Sequence, residues 1–163
     1  MASKYSVIQY VPDPVADERI NIGVVAFNHN TVRVRFVKNW DRVRDFSWQN
    51  IQFLKDFAHD MEHEAKKGLL FSDDQFSGLS YEERILKIAR GWINTIQFTE
   101  PRGSLNTVDE LLEDISSIYL HERNPELYPK LKTRDRRTAK TVRIIGINVK
   151  YLKLVVKAGR KVN

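Results

Sequence analysis

Tyr5-Ser6-Val7-Ile8-Gln9-Tyr10-Val11, stopped by Pro12-Asp13-Pro14, decides the fold class. The run is rich in aromatic and β-branched residues, which suit a pleated, half-buried surface, and the proline–aspartate cluster predicts a turn directly after it. A strand is therefore expected over 5–11. Downstream, Ile20 to Phe27 carries apolar residues on both faces, so a central strand within 19–28, covered from both sides, is expected. Asn28-His29-Asn30 are residues that tolerate left-handed backbone, and Val32, Val34 and Phe36 then alternate with Arg33 and Arg35. That pattern predicts a hairpin whose second strand, over 31–37, keeps one face polar.

From Ser47 the hydrophobic period changes from two to about 3.6. Ile51, Leu54, Phe57, Ala58, Met61 and Ala65 fall on one stripe and Gly68 can stop it, which predicts a helix near 48–67. Ser80-Tyr81-Glu82-Glu83 is a capping box for a second helix near 81–94, with Ile85, Ile88, Ala89, Trp92 and Ile93 inward. Thr95 to Thr99 reads as a short strand. Thr107-Val108-Asp109-Glu110 is another capping box, and Val108, Leu111, Leu112, Ile115, Ile118 and Tyr119 repeat at helical spacing over 107–121. Residues 122–140, with Pro125 and Pro129 among dense charges, predict a polar connector, after which Val142 to Val156 returns to β character. Strands, then helices, then strands define an α+β class: an antiparallel sheet of amino-terminal strands plus carboxy-terminal strand or strands, packed by about three helices.

The chain has 163 residues, 42% of them apolar, enough for one packed core, so a single domain over 1–163 is expected, with an α+β body over 1–121 and a basic connector and β region over 122–163. There is no cysteine, which excludes disulfide frameworks, thiolate zinc sites, iron–sulfur clusters and cysteine nucleophiles. The first residues leave no room for a secretory leader, and no apolar run approaches the roughly 18 residues that span a membrane. A soluble, cytoplasmic protein with no membrane partner is the expectation.

The net charge of +6 conceals an asymmetry: residues 1–122 hold 14 basic and 19 acidic residues, a net −5, whereas residues 123–163 hold 13 basic and 2 acidic, a net +11. Such a split within one small chain points the basic end at a polyanion or an acidic partner. The residues concerned are Lys130, Lys132, Arg134, Arg136, Arg137, Lys140, Arg143, Lys150 and Lys153, continued by Lys157, Arg160 and Lys161. Neutralising phosphates releases condensed counterions, and arginine adds bidentate hydrogen bonds, so the leading expectation is an accessory protein that binds the backbone of DNA or RNA. The rival partner is an acidic protein surface.

The segments Tyr5 to Pro14, Glu18-Arg19-Ile20-Asn21-Ile22-Gly23-Val24-Val25-Ala26-Phe27 and Ile96-Gln97-Phe98-Thr99-Glu100-Pro101-Arg102-Gly103 together resemble the bacterial domain-of-unknown-function family 3037 over roughly residues 5–120. That resemblance implies a bacterial cytosolic protein, suggests a HipA-like kinase as a protein partner, and implies no activity. The basic region after Arg123 lies outside the resembling pattern.

Two further constellations bear on chemistry. His59-Asp60-Met61-Glu62-His63 fits the H-x-x-E-H spacing of inverted zinc peptidases. At about 100° per residue both histidines fall on the side of the helix away from its apolar stripe, so they are expected to face water and no metal site is expected. Glu18, Arg19 and Asn21 sit where a turn enters the central strand. With Arg102, on a Pro-Arg-Gly turn, they could orient a phosphate or carboxylate, which would make the chain an enzyme acting on a phosphorylated substrate. The plainer expectation is that Glu18 and Arg19 pair with neighbours to hold the turn while Gly23 permits a close approach. No glycine-rich phosphate loop or nucleophile elbow accompanies these residues, so catalysis is the minority expectation, no catalytic residue is assigned, and no cofactor is expected.

Overall fold

The computed structural model describes residues 2–72 and 78–121. In chain order the elements are β1 (Ser3–Asp13), β2 (Glu18–Phe27), β3 (Val32–Phe36), α1 (Asp41–Ser47), α2 (Gln52–Lys66), α3 (Tyr81–Gly91), β4 (Ile96–Phe98), β5 (Arg102–Ser104) and α4 (Val108–Tyr119). The strands form one antiparallel sheet in the order β3-β2-β1-β4, with β5 also paired to β1. This is the expected α+β class. The strands added late in the sequence come from residues 96–104, while the β run expected over 142–156 and the basic connector lie outside the described residues.

The strand that decides the class is the spine of the sheet. On one side β1 takes β2, and on the other it takes β4 opposite Ile8–Tyr10 and β5 opposite Ser3–Tyr5. Pro101 separates the two short strands, and Thr99 bridges the gap: its Oγ1 accepts from the Val7 N–H at 2.9 Å, while its carbonyl accepts from the Ser6 hydroxyl at 2.6 Å. The β1–β2 turn is closed by the Asp13 side chain, which accepts from the Val15 and Ala16 N–H groups, with Asp17 in the left-handed region at φ 54°. The β2–β3 hairpin departs from expectation in its chemistry. None of Asn28, His29 and Asn30 has positive φ; the Asn28 side chain instead accepts from the N–H groups of Asn30 and Thr31. Asparagine serves there as an acceptor that mimics a backbone turn.

A bulge in β2 sets the two faces. Ile8 lies opposite Gly23 and Gln9 opposite Asn21, so Ile22 is the extra residue. Gly23 therefore stays with Phe36, which packs edge-on to Phe57 of α2 with ring centroids 6.0 Å apart. Asn21 turns to the other face, where its amide donates to the Tyr119 carbonyl at the end of α4. On that face Arg33 and Arg35 of β3 pair with Asp109 and Glu113 of α4. Ile22 to Phe27 are all buried between the two helical layers, as the two-sided apolar run predicts.

The helices follow their stripes, with corrections at their ends. Leu54, Ala58, Met61 and Ala65 are buried as expected, and Gly68, at φ 77°, ends α2 in a turn in which the Leu69 N–H reaches the Glu64 carbonyl and the Gly68 N–H reaches Ala65. The expected helix near 48–67 starts too early. Trp48 is left-handed at φ 57° and closes a separate seven-residue helix, α1, whose two buried residues, Val43 and Ser47, make too short a stripe to read. The second helix ends at Gly91, so Ile93 leaves the helical phase and is 70% exposed, against the inward placement expected of it. Trp92 remains half-buried among Phe57, Phe71 and Phe98. In α4, Ile118 is 57% exposed, on the flank of a stripe whose centre is Leu111 and Ile115.

Both capping boxes form as the sequence predicts. The Ser80 backbone N–H, then its hydroxyl, hold Glu83 below the ordinary carboxylate range, and the Thr107 hydroxyl, then its backbone N–H, do the same for Glu110. A carboxylate whose folded value is depressed adds stability above its unfolded value of 4.5, and that contribution is lost as pH falls through the lower folded value. The acid loss of hydrogen-exchange protection in the first turn of α4 is therefore expected to be steeper in the native chain than in Thr107→Val. Identical profiles would remove the cap from the stability of α4.

Candidate functional site

The bulge and the end of α4 bring polar side chains from five elements together on one face of the sheet. Asn21 accepts from the Gln9 amide at 3.0 Å and donates to the Tyr119 carbonyl at 3.2 Å. Arg19 donates to Gln9 and to Gln97 of β4, at 3.3 and 3.5 Å, and pairs with Asp17. At the other end of α4's last turn, the Arg102 guanidinium donates to the Tyr119 hydroxyl at 3.4 Å, and that hydroxyl lies 3.2 Å from the hydroxyl of Tyr5.

Of the four residues singled out in the sequence, three join this cluster. Arg19 and Asn21 meet through Gln9, and Asn21 and Arg102 meet through Tyr119. Glu18 does not join it: the carboxylate that pairs with Arg19 is Asp17. Arg102 is not on a turn but opens β5, opposite Tyr5. The close approach at Gly23 is to the Phe36 ring. Tyr5, Gln9, Gln97 and Tyr119 were not singled out. The two-residue alternation of Tyr5 and Gln9 placed them on one face of β1, but their link to Tyr119 spans more than a hundred residues and is made only by the packing of α4.

His59 and His63 are exposed, as their helical phase predicts. Glu62, the third member of that string, is half-buried and its carboxylate accepts from the Phe36 N–H at 3.0 Å, which occupies a free donor of the β3 edge. Among the described residues no group of His, Asp and Glu is arranged to hold a metal ion. Among the described residues, open concavities lie along α3 beside Leu86 and Arg90, of about 480 Å³, and between Phe53 and Ile96, of about 350 Å³, and neither of these includes a residue of the sheet-face cluster.

Many of the cations of this body pair with its own acids. Lys4 pairs with Glu82, Arg19 with Asp17, Arg33 with Asp109, Arg35 with Glu113, Arg44 with Asp41, Lys67 with Glu64 and Arg90 with Glu100. The Arg35 guanidinium accordingly holds the Glu113 carboxyl below its ordinary range. No helix among the described residues is long and apolar enough to cross a membrane.

The fold and the cluster define an α+β domain in which a helix end is docked by polar side chains on an antiparallel sheet. The model of the family described as a protein of unknown function, DUF3037, matches residues 5–120, and the chain belongs to that family. The match runs from β1 through the residue that follows α4. No curated protein and no solved structure matches the chain.

Proposed function

We propose that this protein is a non-catalytic, cytoplasmic accessory protein that binds DNA or RNA through Lys130, Lys132, Arg134, Arg136, Arg137, Lys140, Arg143, Lys150 and Lys153, with residues 1–121 as scaffold. The observation that carries the reading is the charge partition, +11 over residues 123–163 against −5 over residues 1–122. The ion pairs of the body support it: seven of the 14 cations in residues 1–122 face carboxylates of the same body, which lowers the positive charge it offers a polyanion. Binding of this kind draws on counterion release from the phosphate backbone and reads charge with little base specificity.

If about five phosphates are neutralised, log affinity falls with log salt at a slope of roughly −3.5 on single strands and −4.5 on duplex. Changing Arg134, Arg136, Arg137 and Lys140 together to Glu is expected to flatten that slope and weaken binding to every sequence alike, with the melting temperature unchanged. Titration of labelled single-stranded and duplex oligonucleotides at two salt concentrations measures both. Affinity that survives the four-residue reversal would sink the assignment. Binding to an acidic protein, such as a HipA-like kinase, that nucleic acid does not displace would transfer the basic end to a protein partner.

A further inference from the structure

Tyr5, Arg102 and Tyr119 reach one point from β1, β5 and α4, and their hydrogen bonds leave donors over. The rings of Tyr5 and Tyr119 lie 5.9 Å apart, tilted by 40°, and Tyr119 is fixed from below by Asn21 on its carbonyl. Two phenols bring two hydroxyl hydrogens, and the 3.2 Å contact between their oxygens uses one of them. The Tyr119 oxygen also accepts from Arg102. Among the described residues neither hydroxyl meets a carboxylate or a carbonyl, so whichever phenol donates to the other, one O–H is left without a protein acceptor. Arg102 carries five N–H groups, more than its contacts with the two phenol oxygens of Tyr119 and Tyr5 can use. Arg19, Arg33, Arg35, Arg44 and Arg90 each face a carboxylate, whereas Arg102, among the described residues, faces phenol oxygens and no carboxylate.

The protonation states keep the surplus. Tyr5 first, and then Tyr119, raise the Arg102 guanidinium above its ordinary value, so it stays charged. The Tyr119 phenol is pushed up by its hydrogen bond with Tyr5 and by burial, so it keeps its hydrogen through the neutral range. The cluster is thus an exposed guanidinium beside two half-buried phenols, a group of donors with a net positive charge and, among the described residues, no acid to match it. Charged acceptors make shorter and stronger bonds to such groups than neutral ones do, and a guanidinium takes two oxygens of one anion side by side.

We propose that Tyr5, Arg102 and Tyr119 form a receptor for an oxyanion, the phosphate or carboxylate group of a ligand, with the guanidinium gripping two of its oxygens and the free phenol donating to one of them. All three residues lie within the span matched by the family model, whereas residues 130–153 lie outside that span.

The test uses the full chain, labelled with carbon-13 in the tyrosine rings and nitrogen-15 in the arginine side chains, titrated at constant ionic strength with inorganic phosphate and, separately, with acetate. Saturable shifts of the Tyr5, Tyr119 and Arg102 signals are expected with at least one of the two. Saturation by phosphate alone assigns a phosphorylated ligand, and by acetate alone a carboxylate ligand. Arg102→Gln is expected to weaken binding about tenfold or more, the loss typical of a hydrogen bond to a charged group. Tyr5→Phe, which keeps the ring, is expected to weaken it several-fold with the melting temperature unchanged. Linear, unsaturable shifts would overturn the proposal. So would binding that survives both substitutions, or binding abolished by reversing Arg134, Arg136, Arg137 and Lys140 but retained in Arg102→Gln.

Discussion

Ile115→Ala is expected to destabilise the protein by about 2–5 kcal/mol, the range for truncating a fully buried aliphatic side chain whose cavity cannot close. Ile115 is 3% exposed, on the face of α4 that also presents Val108, Leu111 and Leu112 to the sheet. Beneath it Ile22 to Phe27 of β2 are buried, so the deleted methyl groups leave a void between two packed layers. The neighbouring Ile118→Ala is the internal control. With 57% of its surface exposed, Ile118 has little transfer energy to lose, and a change within about 0.5 kcal/mol is expected. Chemical denaturation of the two variants reads the difference directly, and equal losses would mean that α4 is rotated from the orientation described.

Gly23→Ala is expected to cost about 1–3 kcal/mol, although alanine in place of glycine ordinarily stabilises by restricting the unfolded chain. A Cβ at Gly23 would lie 2.7 Å from Cδ1 and 2.8 Å from Cε1 of Phe36. The ring cannot easily give way, because Phe36 is 3% exposed and its other neighbour is the Phe57 ring, set edge-on. Overpacking therefore outweighs the entropy gain, which is worth roughly 0.4–1 kcal/mol. Combining Gly23→Ala with Phe36→Val should recover most of the clash, giving a double-mutant coupling of about 1 kcal/mol or more. A Gly23→Ala variant as stable as the parent would show that the Phe36 ring moves aside at no cost.

Much of this architecture was legible because it is local. The aromatic and β-branched run at Tyr5 to Val11, the two-sided run at Ile20 to Phe27, and the boxes at Ser80 and Thr107 each state their structure within a few residues, since period and capping chemistry act over one or two turns or one pleat. The solvent placement of His59 and His63 follows from the same short-range geometry. Helix α1 escaped because seven residues with two buried positions do not make a period, and β5 because Arg102-Gly103-Ser104 has no apolar alternation at all. Its strand conformation comes from hydrogen bonds to β1, which already had the pattern.

The functional surfaces divide along the same line. Charge is additive along a chain, so the sequence by itself determined the opposed signs of residues 1–122 and 123–163, along with the strand and helix periods and the two capping boxes. Only the tertiary structure decided that Asp17 and not Glu18 holds Arg19, that a bulge at Ile22 turns Asn21 toward α4, and that Tyr5, Arg102 and Tyr119 share one point. The physical reason is that hydrogen bonds and ring contacts act over a few ångströms, and residues 5, 102 and 119 come within that reach only after burial of the α4 stripe has seated the helix on the sheet.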